Sequence, residues 1–203
     1  MSSPRSIRRD AVMRGALALL GAVGLAGSVA AQTSISDSEL EELLTVKIRT
    51  VQHMALNPVL VRAVRLQNAE QLPLEEIQRR DEAWRASDAL TPFKLSLQTS
   101  PAGRFLAQQV SRSASFNEAF LTDNQGANVA AYPATSDYWQ GDEEKWIASY
   151  NGGNGQIFIG PLERDESTQT VAAQISAPVI DRGETIGVLV VGVTINYLEE
   201  RRR

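Results

Sequence analysis

The chain has 203 residues, 43% of them apolar and 22% charged, which suits one domain with a real core and is too little for two large ones. It contains no cysteine, which excludes disulfide staples, thiolate metal sites and thiol nucleophiles. The single histidine, His53, excludes a multi-histidine zinc site and speaks against a hydrolase triad, while a net charge of −4 speaks against nucleic acid as a partner.

Residues 1–31 have the layout of a secretory signal peptide. Arg5, Arg8, Arg9 and Arg14 form a basic region, residues 15–29 are small or apolar without charge, and Val29-Ala30-Ala31 supplies the small residues of a cleavage site. Arg8-Arg9 makes a twin-arginine route as open as the general one, although Ala11 stands where that motif has a bulky apolar residue. The alternative is an uncleaved anchor. Against it, the apolar run is short of the roughly 20 residues that span a bilayer and carries four glycines. The expectation is therefore a periplasmic or secreted protein. Loss of the four arginines and Asp10 leaves 16 of the 20 basic and 23 of the 24 acidic residues, a net charge of about −7.

From Asp37 or Ser38 the apolar residues Leu40, Leu43, Leu44, Ile48, Val51 and Met54 recur at helical spacing, as far as a break at Asn57-Pro58. Further helices are expected over 59–70, 74–89 and 102–110. Near Phe116 the pattern changes to strands, at 119–123, 128–132, 156–159, 170–180 and 185–195, with a short helix at 142–150. Asp123-Asn124-Gln125-Gly126 and Asp181-Arg182-Gly183-Glu184 read as hairpin turns, and such short turns favour antiparallel neighbours. The predicted class is α+β, with an N-terminal helical region (32–115) and a five-stranded antiparallel sheet (116–203).

The aromatic residues cluster. Tyr132, Tyr138, Trp139, Trp146 and Tyr150 fall within 19 residues, together with Asp137, Asp142, Glu143 and Glu144. Aromatic walls with a few fixed carboxylates suit a small cationic or zwitterionic ligand. The competing reading is that the aromatics pack this connection down and the acids face water. Calcium on the four acids would need a loop spacing they lack, and the glycines at 152–155 lack the Lys-Ser/Thr of a phosphate loop. No catalytic constellation, metal site or cofactor is expected.

Phe120-Leu121-Thr122-Asp123-Asn124-Gln125-Gly126 resembles the opening hairpin of Cache domains, the extracytoplasmic PAS-like sensors of bacterial receptors. Thr135-Ser136-Asp137-Tyr138-Trp139-Gln140-Gly141-Asp142-Glu143 with Trp146 resembles their pocket-capping segment. Asp165-Glu166-Ser167-Thr168, Ile175-Ser176-Ala177-Pro178 and Gly187-Val188-Leu189 resemble their distal hairpin and last strands. The resemblance implies one domain over 37–197, a long helix beside a five-stranded sheet, and a ligand held between sheet and capping segment by Tyr132, Asp137, Tyr138, Trp139, Asp142, Trp146 and Asp165. Asp165 matches the aspartate that holds the ligand amine in amino-acid-binding members. The carboxylate-gripping arginine of those members is missing, with only Gln140 and Lys145 nearby, so an amine, a neutral polar molecule or a carboxylate held by Lys145 stay open. Because the sequence stops at Arg203, the expectation is a sensor without its own output module, signalling through a membrane partner. The alternative is an interaction protein that dimerises through the N-terminal helix.

Overall fold

The computed structural model describes residues 36–165 and 170–196. The signal-peptide segment lies outside the described residues, as do the side chain of Asp165 and the turn that follows it. No helix among the described residues is long and apolar enough to cross a membrane.

Helix α1 (Asp37–Ala55) begins with a capping box: the Ser36 hydroxyl accepts the Glu39 N–H, and the Glu39 carboxylate accepts the Ser36 N–H at 3.0 Å. The break at Asn57-Pro58 is a helix start as well as a stop. Asn57 Oδ1 accepts the Val59 N–H at 2.9 Å and Pro58 fills the first position of α2 (Pro58–Ala69). Helix α3 (Leu74–Arg85) ends four residues before the expected boundary, and α4 (Pro92–Thr99) was not anticipated. Then follow α5 (Pro101–Arg112) and, between strands, α6 (Glu144–Tyr150).

Strands β1 (Phe116–Thr122) and β2 (Asn128–Tyr132) form the first hairpin. Strands β3 (Phe158–Ile159) and β4 (Glu163–Asp165) are short, and β5 (Thr170–Asp181) and β6 (Glu184–Asn196) are long. The order is β2-β1-β6-β5-β3, all antiparallel, with β4 also paired to β5. The sheet thus has six strands in five positions: β3 and β4 share the β5 edge. The α+β class and the antiparallel sheet are as predicted; the extra strand is the polar edge segment Glu163–Asp165. The β5–β6 turn places Arg182 (φ 53°) and Gly183 (φ 91°) in the left-handed region, as a tight two-residue hairpin requires.

The central strand β6 is apolar on both faces and therefore sits between layers. On the inner face Leu189, Val191, Val193 and Ile195 pack with Leu121, Ile175 and Val179 against Leu44, Val51, Leu60, Val64 and Leu106 from α1, α2 and α5. On the outer face Val188 and Val190 pack with Phe120 and Ala131, and Trp146 and Tyr150 lie against them. A third cluster, Ile77, Trp84, Leu97, Ala127 and Tyr138, joins α3 and α4 to the capping segment.

Candidate functional site

The structure divides the aromatic segment in two. Tyr138 is 1% exposed and packs between Trp84 and Phe93, with ring centres 5.8 and 5.2 Å away. Asp81 of α3 accepts the backbone N–H groups of Tyr138 and Trp139 at 2.8 and 3.1 Å, and Trp84 Nε1 donates to the Thr135 carbonyl at 2.9 Å. Trp139, half-buried, donates from Nε1 to the Gln125 carbonyl at 2.8 Å. Burial first, then the Asp123 charge, push the Tyr138 hydroxyl up to about 12, even though Arg80 lies beside it. Residues 135–140 are thus fastened to the helical side.

The second half turns to the sheet. Gly141 leads to α6, where Trp146 and Tyr150 stack at 4.8 Å with an interplanar angle of 12°. They lie over Phe120 and Val190, and Trp146 Nε1 donates to the Asp123 carbonyl at 3.3 Å. Lys145 sets its ammonium 5.5 Å from the Phe120 ring and pairs with Glu143 at 2.8 Å. In the sheet beside this layer Ser176, between Phe158 and Val190 in register, is fully buried, and its hydroxyl has no hydrogen-bond partner among the described residues.

A cleft of about 330 Å³ opens further along the same strands. Period-two alternation brings Glu118 of β1, two residues from Phe120, and Gln174 of β5, two residues from Ser176, to the outer face. Both stand opposite Gly192 of β6. Gln174 Nε2 donates to Glu118 Oε1 at 2.8 Å, and a Cβ on Gly192 would fall 3.0 Å from that same oxygen. Asn117, Gly160 and Glu163 complete the rim. Among the described residues the lining contains two carboxylates and no cationic side chain: Arg164 is drawn away to Asp37 at 2.9 Å, and Lys145 to Glu143. The cleft can therefore hold a small cation, with hydrogen-bond acceptors at Glu118 and Glu163.

Of the seven residues proposed from sequence, none is among the described residues that line this cleft; Trp146 lies on the outer face over Phe120 and Val190. Tyr132 lies half-buried against the inner core. Asp137 is half-buried and bound by Gln140, and Asp142 is exposed. Tyr138 and Trp139 serve the packing against α3 and α4. The backbone of Asp165 pairs with Thr170, two residues along β4 from Glu163, which pairs with Ala172 beside the cleft. Sequence reading missed Glu118, Glu163, Gln174 and Gly192. The available signal was polar residues at alternate positions of otherwise apolar strands.

No family model matches the chain, and no curated protein matches it. Among solved structures it is similar to the sensor domain of the Vibrio cholerae histidine kinase DctB (18% identity, TM-score 0.42, covering 76% of this chain and 50% of that one). It is also similar to the ligand-binding domain of the Pseudomonas aeruginosa PAO1 amino-acid chemoreceptor PctC in complex with GABA (16%, 0.39, 81% and 63%). A third is the sensory domain of the Campylobacter jejuni chemoreceptor Tlp3 with isoleucine bound (17%, 0.33, 79% and 64%). The chain spans half the length of the first of these and under two thirds of the other two.

Proposed function

We propose that this protein is an extracytoplasmic, PAS-like ligand-sensing domain that takes a small cationic or amine-bearing molecule on the outer face of its sheet. The observation that carries this reading is the cleft over Gly192, with Glu118 and Glu163 on its walls and no cationic side chain among its described residues. The stacked Trp146 and Tyr150 lie further along the same outer face, over Phe120 and Val190. Asp165 is a further carboxylate candidate on the strength of the Cache resemblance. In this reading the signal segment exports the chain and the occupied domain acts on a membrane partner.

The experiment is a thermal-shift screen of amines, amino acids and small carboxylates on the exported domain. A ligand that binds only the folded state raises stability by about 2.7 kcal/mol at a hundredfold excess over its Kd. Amines stabilising the domain and simple carboxylates failing to do so would support the reading; stabilisation by carboxylates alone would defeat it.

The interaction-protein reading keeps one specific observation: the aromatic half fastened to α3 is filled by its own side chains. It lacks a broad apolar face on α1, where Val46 is the exposed large apolar residue.

A further inference from the structure

A second cluster of polar groups, none of them lining the cleft, lies where β2 meets the capping segment. Asn128 is fully buried and Gln140 is 1% exposed. Each gives its amide nitrogen to Asp137: Asn128 Nδ2 to the main-chain carbonyl at 3.1 Å, Gln140 Nε2 to the carboxylate Oδ1. The amide oxygens, Asn128 Oδ1 and Gln140 Oε1, have no hydrogen-bond partner among the described residues. A buried acceptor without a donor carries its whole desolvation penalty, so a missing donor is the feature to explain.

The charges around Asp137 sharpen the point. Asp81 of α3 and Glu143, just before α6, are its charged neighbours. The cations in this region are committed elsewhere: Arg85 to Asp81 at 3.0 Å, Lys145 to Glu143 at 2.8 Å, and Arg80 to Glu76 at 2.8 Å and to the Tyr138 hydroxyl. Asp137 itself receives neutral donors, Gln140 and the Ser136 hydroxyl at 3.2 Å. It is a half-buried carboxylate with like charges beside it and a primary amide against it.

A carboxylic acid and a primary amide side by side close a two-point ring, amide N–H to acid C=O and acid O–H to amide C=O. The first of these bonds exists, from Gln140 Nε2 to Asp137 Oδ1. The second would form when a proton on Oδ2 is donated to Gln140 Oε1, the acceptor now without a partner among the described residues. We propose that Asp137 and Gln140 form a proton-operated latch, which closes when Asp137 is protonated and ties residues 137–140 of the capping segment to one another, just ahead of Gly141 and α6.

Burial first, and the Glu143 and Asp81 charges after it, push the Asp137 carboxyl above its ordinary value of 3.8. The sign follows. A carboxyl raised in the fold contributes stability that is fully present below the unfolded value and is lost as pH rises through the folded one. Acid therefore closes the latch and neutral pH opens it. The inference does not depend on what the cleft binds.

The test has two parts. The first is a carboxyl-carbon NMR titration of the exported domain. The Asp137 signal is expected to titrate with a midpoint above 3.8, with the Gln140 side-chain amide protons moving at the same midpoint. A midpoint at or below 3.8, or Gln140 signals that ignore it, would overturn the latch. The second is Asp137→Asn, whose amide can close the same ring at every pH. It is expected to melt higher than wild type at about pH 7, and the gap is expected to close as wild type is acidified through the Asp137 midpoint. No gain at neutral pH, or a gap that does not change with pH, would overturn it. If Asp137→Asn does not fold, the NMR titration decides alone.

Discussion

Gln174 donates a hydrogen bond to Glu118 across the bare backbone of Gly192, so three neighbouring strands supply one acceptor wall and its floor. The bond leaves the second oxygen of Glu118 for a ligand. In Glu118→Gln the charge goes and the size stays. The loss of a charge-assisted bond, about 1.5–3 kcal/mol, should weaken an amine found in the screen by roughly 10- to 150-fold. Calorimetric titration of wild type and variant measures this, with the melting temperature of the empty protein as the control for folding.

Gly192→Ala tests the floor. A methyl group there would clash with Asn117 Oδ1 and fall 2.6 Å from Glu118 Cγ, so both side chains must swing aside and the folded protein should lose stability. The Glu118 carboxylate should be pushed off its place opposite Gln174, and amine affinity should fall at least as far as in Glu118→Gln. Affinity equal to wild type would show that the ligand does not use this wall.

The capping segment separates into a half packed against α3 and α4 and a half laid over the sheet. Tyr138→Ala should cost about 3–5 kcal/mol by urea unfolding, the usual range for deleting a buried aromatic ring, because Trp84 and Phe93 both lose a neighbour. Trp146→Ala should cost less, since its ring is only half-buried.

Tyr138 also reports on itself in alkali. Its hydroxyl is held up to about 12 against an ordinary 10.0, so the unfolded chain ionises first. The contribution is fully present below pH 10.0 and is lost as pH rises toward 12. Phenolate absorbance should show one tyrosine titrating last, and Tyr138→Phe should remove that step.

The long elements were legible because each had one dominant pattern. Strand β6 carries an unbroken apolar run, β5 alternates from Val171 to Val179, and Arg182-Gly183 demands a turn. Helix α4 escaped because it is eight residues long, begins at Pro92 and is closed by Ser100-Pro101, and because Lys94, on its buried side, looks like a surface residue. Strand β4 escaped because Glu-Arg-Asp has no apolar member; pairing with β5 makes it a strand. The site was legible in part for a similar reason. Aromatic density marked residues 132–150, yet sequence could not show that Asp81 of α3 would claim the backbone at Tyr138 and Trp139 while Trp146 went to the sheet. Glu118 and Gln174 lie 56 residues apart and meet only through strand register.

Hydrogen exchange with and without the best amine from the screen tests the central claim most directly. A ligand held in the cleft over Gly192 should slow exchange on the strands that line it. The expected result is new protection along β1, β5 and β6 around Glu118, Gln174 and Gly192, with little change at 135–140, already fastened to α3. Protection confined to 135–140 and α3, or an amine that binds without altering these strands, would contradict it.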